Sequence, residues 1–420
     1  MRAAIEAISL VSAAAGLWWR RLPQLVLLFA TAFGLHLLGL NLSVRLGPDH
    51  QIAATVVFVL AVLAQVGALV IMLWLCRPEG DEETALDVAA LAIGPFLAVY
   101  ALSGLVDDEV YALFAANIAV SGLGGTDEWS VNLQWLGFYV VLAVVAWVLR
   151  QLVGLASRRR PARPLLLLGV VLEGTWTFAS ALALLAGWGR VVDWVTSRTV
   201  WQGLSSGWYA VLDLLPDLRL PFDLTLPEAL QALVEWLTLT LVPGVWTAVL
   251  LPLMWLALAA VVFGWREVDA RTVAAGTLAE VAHERVVSRW RTGRWRSLLH
   301  RVGLLVTGDL RTKYLPVLHA FRLLWATGPA FLAAYLVVAT AVETARSWAI
   351  LSQARLLGPR DPALALAWSW AEELIIGCVF TTFAIALYAA AGRRALGSGV
   401  TADAAPAESD PVPRTGAPVR

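Results

Sequence analysis

The sequence contains very few cysteines and almost no lysine. Cysteine occurs only at Cys76 and Cys378, and both positions lie in apolar runs. This spacing excludes a disulfide framework and a CxxC metal site. Lys313 is the single lysine among 31 basic residues, so arginine carries nearly all the positive charge. Such a bias is typical of a GC-rich bacterial genome and indicates no particular function.

Charge is also scarce. Only 15% of the residues are charged, whereas soluble domains carry about 25%. Hydrophobic residues make up 59% of the chain and the mean hydropathy is +0.73. The 31 acidic residues balance the 31 basic ones, so bulk charge predicts no partner. The composition instead predicts a protein whose solvent is the lipid bilayer.

Eight apolar runs are long enough to cross a bilayer as helices. They are continuous and lack the period-two alternation of a β-barrel strand. Only helices and closed barrels satisfy their backbone in lipid, so the predicted fold is all-α, a polytopic transmembrane helical bundle with amphipathic interfacial helices. The predicted spans are about 22–43, 52–76, 85–106, 132–152, 165–188, 240–264, 318–342 and 368–392.

The positions of the basic residues predict the orientation. Placing the N-terminus inside assigns 24 of the 31 basic residues to the cytoplasmic side, where arginine and lysine near helix ends are retained. With eight spans, both termini are then cytoplasmic. We expect a multi-pass protein of the cell membrane.

Five of the regions outside the predicted spans have a predicted structure of their own. Residues 1–21 are expected to form a cytoplasmic helix in the interface, with Ile5, Ile8, Val11, Trp18 and Trp19 facing lipid. The outer loops are 107–131, a short helix followed by a glycine-rich turn, and 189–239, a set of tryptophan-rich amphipathic helices. A helical insertion is predicted at 265–317 on the cytoplasmic side. Residues 393–420 resemble a disordered tail, because they are rich in Ala, Pro and Gly without an apolar period.

Two glycine–proline pairs predict interruptions in helices. One is Pro243–Gly244, where residues 228–242 are re-entrant, surface-lying or the bent outer end of the sixth span. A surface-lying or re-entrant segment is favoured, since 245–264 alone suffices to cross. The other pair is Gly328–Pro329 in the seventh predicted span.

Adjacent carboxylates, Glu372 and Glu373, stand near the start of the eighth predicted span. The 19 uncharged residues that follow, 374–392, give about 28 Å of helix, which matches the hydrocarbon thickness. Both glutamates are therefore expected at the outer boundary, where they are solvated or paired with Arg346, Arg355 or Arg360.

Glu173 has no such route to water. It lies nine residues, about 13 Å, beyond Pro164 in the fifth predicted span. Thr177 and Ser180 follow at i+4 and i+7, so a polar stripe continues along one face. Two interpretations stay open: a proton, ion or substrate relay site, or a structural hydrogen bond to His36 or Gln65. His36 alone, near Gly34 and Gly39, is more typical of a packed, hydrogen-bonded histidine than of a ligand.

The stretch 285–301 of the insertion contains six arginines and two tryptophans and no acidic residue. Next to a membrane this pattern predicts contact with anionic lipid, and a cytoplasmic protein partner is the alternative. Nucleic-acid binding is not expected, because the positive-inside rule already accounts for arginine here. The residues concerned are Arg285, Arg289, Trp290, Arg291, Arg294, Trp295, Arg296 and Arg301.

Motifs of known enzymes are weak. The sequence GLSSG at 203–207 matches G-x-S-x-G without the strand–turn–helix context that this motif needs. A Walker A sequence and a zinc-protease HExxH are absent, so we expect no cofactor and no metal. The leading hypothesis is a transporter or permease-type component with a buried carboxylate. A non-catalytic scaffold or envelope-complex subunit is the alternative, and an intramembrane enzyme is a weaker one.

Overall fold

The structure, a computed structural model, describes most of the chain. Helices make up 92% of it, and the described part contains no strand. The predicted all-α membrane bundle is therefore confirmed. The residues described are 2–47, 49–77, 84–102, 105–121, 136–159, 162–216, 218, 224–263, 327–359 and 361–403.

Twelve α-helices follow one another in the described residues. One short π-helical segment joins the eighth helix to the ninth, and a second joins the ninth to the tenth. The helices are α1 (Arg2–Leu46), α2 (Gln51–Leu75), α3 (Ala85–Leu102), α4 (Leu105–Ser121), α5 (Leu136–Arg159), α6 (Arg163–Thr196), α7 (Thr199–Asp213), α8 (Leu226–Glu235), α9 (Val242–Val245), α10 (Leu251–Val262), α11 (Pro329–Leu357) and α12 (Pro362–Asp403).

Seven helical stretches among the described residues are long and apolar enough to cross a membrane. They coincide with or overlap seven of the predicted spans. The remaining predicted span, 85–106, corresponds to α3, a helix of 18 residues that is not one of those seven. The count of eight spans therefore stays a prediction.

The outer surface of the bundle is itself apolar. On α5, large aliphatic side chains such as Val141, Val144 and Leu155 are more than half exposed. Contiguous apolar surface of this kind is rare on soluble monomers. It suits a helix whose outer face contacts lipid, where backbone hydrogen bonds are satisfied within the helix.

Helix α1 organises the core. It runs unbroken for 45 residues past Pro23 and packs against α2, α4, α11 and α12. Proline is tolerated in a membrane helix where neighbouring groups satisfy the carbonyl that it leaves free. The predicted boundary at residue 21 between an interfacial helix and a first span is thus not a break in the helix.

The first half of α1 packs on the bundle by one face and exposes the other. Ile5, Ile8, Val11 and Trp19 are exposed, as predicted for lipid-facing residues. Trp18 is an exception: its indole N–H donates to Thr382 Oγ1 at 2.9 Å and its ring meets Phe383 edge-on. Near the N-terminus, an Arg394 guanidinium nitrogen lies 2.5 Å from a carboxylate oxygen of Glu6 and joins α12 to α1.

The favoured prediction for residues 228–242, a surface-lying or re-entrant segment that ends at Pro243, is wrong. The chain stays helical from Leu226 to Val262, through π-helical segments at Trp236–Leu241 and Trp246–Leu250. A π segment shifts the hydrogen-bond partners by one residue, which allows a helix to pass a proline without ending. Residues 228–242 are therefore the end of a long helix that contains the sixth span and not a segment separated from it at Pro243–Gly244.

The C-terminal third also differs from the prediction. The described part of the seventh span is a helix that begins at Pro329 and continues to Leu357, and α12 starts at Pro362. The segment 343–367 between the seventh and eighth predicted spans is thus largely helical, and only four residues separate α11 from α12. Helix α12 continues to Asp403, so residues 393–403 are helical and do not belong to a disordered tail.

The remaining loop predictions are tested only in part. Helix α4 confirms a helix within 107–131, and α7 confirms one within 189–239. The glycine-rich turn at 122–125, the cytoplasmic insertion 265–317 and the rest of the tail from 404 lie outside the described residues.

Glycine is required at both ends of α11. Gly328 has φ +97° and ψ 151°, and Gly358 has φ +67° and ψ −175°. Non-glycine side chains essentially do not occupy this backbone region, and forcing one there costs about 1–3 kcal/mol. Gly358 lets the chain reverse between α11 and α12 within four residues.

Replacing Gly358 by alanine is expected to lower the free energy of unfolding by about 1–3 kcal/mol, because the turn then holds a strained Cβ. Unfolding in mixed detergent micelles measures this. Gly189→Ala is the matched control, since Gly189 is helical and a Cβ there meets nothing within 4 Å. Equal stabilities of the two variants would contradict the strain.

Candidate functional site

Glu173 lies in an ion pair inside the bundle. Its carboxylate contacts the guanidinium Nε of Arg150, and the side chains are 4% and 19% exposed respectively. The predicted burial of Glu173 is confirmed. Its ion-pair partner is Arg150, which the sequence did not suggest, while His36 pairs with Glu109.

The pair is positioned by a helical hairpin. Helices α5 and α6 pack antiparallel along their length, joined by a few residues around 161. Arg150 stands about eleven residues before that connection and Glu173 about twelve after it, so both lie about 17 Å from it along their helices. The sequence places Arg150 at the inner boundary of the fourth span, whereas its pairing puts it at the same depth as Glu173.

A third helix closes the site. Glu173 Oε1 lies only 3.1 Å from the position that a Cβ on Gly94 would occupy. The next residue in α3 is Pro95, which has no N–H to donate to the carbonyl four residues earlier. A weakened point in the α3 backbone therefore lies directly beside the buried charge pair.

The predicted polar stripe is present, but it serves the helix itself. Thr177 is buried and its hydroxyl donates to the backbone carbonyl of Glu173 at 2.9 Å. Ser180, one turn further, is half-buried. Gln65 Oε1 and Trp176 Nε1 are buried atoms without a hydrogen-bond partner in the described part of the chain. These are unpaired polar groups of the kind that a bound water or solute would satisfy.

A second polar centre joins three other helices. His36 Nε2 of α1 lies 3.2 Å from Glu109 Oε2 of α4, and the hydroxyl of Tyr100 in α3 donates to Glu109 Oε1. All three residues are about 95% buried. His36 is thus packed in the bundle, as the sequence suggested, and Glu109 is its ion-pair partner.

Negative charge surrounds this second centre. Burial raises the pKa of the Glu109 carboxyl, while His36 and Tyr100 lower it. Glu373 of α12 and Asp108 of α4 also raise it by repulsion.

Glu373 is exposed and Glu372 half-buried, which agrees with a boundary position. Of their predicted partners, Arg346 pairs with Glu343 at 3.6 Å.

Helix α3 connects the two centres. Gly94 touches the Glu173 carboxylate and Tyr100 bonds to Glu109. These positions are six residues apart, a rise of about 9 Å. Helix α3 therefore lies next to both pairs of ionisable residues, Arg150 with Glu173 and His36 with Glu109, inside a bundle whose outer faces are apolar.

Sequence reasoning missed four contributors: Arg150, Tyr100, Glu109 and the Gly94–Pro95 pair. A signal existed for two of them. Gly-Pro in the middle of an apolar span is unusual, and Arg150 follows an apolar run of α5 that is short for a span. Tyr100 and Glu109 carry no local signal, since they become neighbours of His36 only through tertiary packing.

The remaining motifs of the sequence add no further site within the described residues. The predicted lipid or partner contact, from Arg285 to Arg301 with Trp290 and Trp295, lies outside the described residues. GLSSG is part of α7, a helix, so it is not at a strand-to-helix turn. Across the described ranges, His, Cys, Asp and Glu nowhere form a group of three able to hold a metal ion.

Searches of protein-family models, curated proteins and solved structures found no match to this chain. The geometry of the two polar centres is therefore what points to a function.

Proposed function

We propose that the protein is a transporter or permease-type component of the membrane, with the Glu173–Arg150 pair as its working site. The observation that supports this most directly is the pairing of two opposite charges within a membrane bundle, beside the proline-interrupted helix α3.

Energetics favour a use for this pair beyond holding helices together. Removing two charges from water costs several kcal/mol for each ion, and apolar side chains of similar volume often give equal or greater stability. Ionisable residues in membrane spans are accordingly rare and typically mark pathways for ions or solutes. A purely structural contact between α5 and α6 does not need charge.

The pair can open in two ways. A proton on Glu173 removes the charge that holds Arg150, and an anionic group of a solute competes with Glu173 for the guanidinium. Either event changes the contact between the α5–α6 hairpin and α3, which touches Glu173 at Gly94. Because Pro95 removes a backbone hydrogen bond, α3 bends most easily at this point.

Flux through proteoliposomes tests the proposal. Vesicles that hold the purified protein are exposed in turn to protons, inorganic cations and anions, organic acids, amino acids and sugars. For each solute that the wild type moves, Glu173→Gln is expected to lower the rate by at least about tenfold, which corresponds to 1.4 kcal/mol in the barrier.

Glu343→Gln is the matched control, because Glu343 is a glutamate on a spanning helix with a side chain 68% exposed. It should keep the wild-type rate. Unchanged flux in Glu173→Gln would contradict the site, and a wild type inactive toward the whole panel would contradict transport.

A scaffold or envelope-complex subunit is the second candidate. It is supported by α7, which packs mainly on α6 and exposes Trp201, Leu204 and Tyr209. Such a helix fits a membrane surface or a protein partner. Co-purification of a stoichiometric partner from native membranes in mild detergent, lost in Leu204→Glu, would favour this function.

Location follows from the same proposal. We place the protein in the cell membrane with both termini in the cytoplasm, as the distribution of arginine favours. The bilayer is its main partner, and the segment 285–301 would contact anionic lipid on the cytoplasmic side.

A further inference from the structure

We propose that His36 and Glu109, closed by Tyr100, form a proton-binding site that is distinct from the Glu173–Arg150 pair. The site takes one proton from water and holds it between an imidazole and a carboxylate. Its existence is independent of the proposed transport function, and only its use as the source of a coupling proton rests on that function.

The position of Glu109 favours one His36 nitrogen as the proton acceptor. Nε2 lies 3.2 Å from Glu109 Oε2, an ion-pair distance, although Oε2 makes no hydrogen bond in the described part of the chain. Because a carboxylate repels a bare nitrogen lone pair, the neutral imidazole carries its hydrogen on Nε2. The other nitrogen, Nδ1, then has a bare lone pair. That atom is buried and has no hydrogen-bond partner in the described part of the chain. A buried acceptor without a donor is unfavourable, and a proton bound there becomes its donor.

Charge favours the same event. With a neutral imidazole, the pair carries the single negative charge of Glu109 in a site where His36 is 6% and Glu109 5% exposed. Burial makes an uncompensated charge costly. A proton transferred from hydronium forms an N–H bond at Nδ1 and leaves water, so the site becomes a neutral imidazolium–carboxylate pair.

Among the described groups that act on Glu109, His36 from α1, the proposed proton acceptor, is the one that can be positive. The others are Tyr100 from α3, Asp108 from α4 and Glu373 from α12. Asp108 and Glu373 are both exposed acids, which leave the site negative and attract cations from water. Tyr100 holds the carboxylate in place by donating to its other oxygen.

Nitrogen NMR on protein labelled with ¹⁵N-histidine in lipid nanodiscs tests the site, with His36→Gln identifying the His36 signals. In the wild type, Nδ1 of His36 is expected to gain a proton as the pH is lowered. In Glu109→Gln the proton affinity of His36 should fall by about tenfold or more, because the carboxylate that stabilises the imidazolium is gone. Asp108→Asn is the matched control and should change it by less than about threefold, since Asp108 is exposed.

Infrared difference spectroscopy gives a second readout that keeps Glu109. In His36→Gln the proton can bind only to the carboxylate, so a carboxylic C=O band that depends on Glu109 should appear on acidification. The proposal is overturned if His36 keeps the same protonation in wild type and Glu109→Gln, or if no such band appears in His36→Gln. Neither measurement requires flux, so proton binding and transport can fail separately.

Discussion

Replacing Glu173 by leucine while Arg150 is kept is expected to lower the free energy of unfolding by about 3–5 kcal/mol. The reason is that the guanidinium, 19% exposed in the native protein, would lose the Glu173 carboxylate while it stays largely out of water. Arg150→Leu should have an effect of the same order, because it leaves Glu173 without the cation.

The double variant Glu173→Leu with Arg150→Leu separates stability from function. It removes both charges and fills the space with apolar side chains, so its stability should return to the wild-type value or exceed it by about 1–4 kcal/mol. Unfolding of all four proteins in the same mixed micelles completes a double-mutant cycle.

Flux of the double variant then tests the proposed function directly. A transporter that uses the pair should be folded and inactive in this background. A double variant that is both stable and fully active would show that the pair serves only the packing of α5 and α6. Single variants as stable as the wild type would instead show that the pair has ready access to water.

The second large effect is expected at the crossing of α1 and α2. A Cβ on Gly39 would lie 2.5 Å from Ala61 Cβ and 3.3 Å from Ala61 Cα, so Gly39→Ala must push the two backbones apart. Small residues allow such close approach in membrane bundles. The neighbouring hydrogen bond from Ser43 Oγ to the Ala54 carbonyl, 2.8 Å long and buried, would be strained as well. We expect a loss of about 1–3 kcal/mol.

Gly34→Ala provides the control on the same helix, because a Cβ at Gly34 meets nothing within 4 Å. There the gain in helix propensity, about 1 kcal/mol, should leave stability unchanged or improved. Each variant adds one methyl group to α1, so the difference between their unfolding free energies reports the α1–α2 contact. A difference near zero would contradict the close crossing.

Several predictions from the sequence agree with the structure because they depend on local properties. Apolar runs long enough to cross a bilayer must be helical in lipid, and seven of the eight predicted spans overlap described helices that are long and apolar enough to cross. Glu173 is buried because its helix cannot move it to either surface. Glu372 and Glu373 are expected at the membrane boundary because the 19 uncharged residues that follow them already suffice to cross the bilayer.

Predictions that required a choice between local conformations were less successful. A proline in an apolar sequence is compatible with a break, a start or a π segment, and the choice depends on neighbouring helices. Pro243 is passed within a continuous helical stretch, whereas Pro329 begins a helix after a glycine with positive φ.

The amino-acid sequence by itself determined that this protein is a helical membrane protein and that Glu173 lies at depth, since both follow from the length and polarity of single segments. Only the tertiary structure decided that Arg150 neutralises Glu173 and that His36 meets Glu109 and Tyr100. These residues are separated by many positions along the chain, and their contacts arise from the crossing of helices whose partners no periodicity specifies.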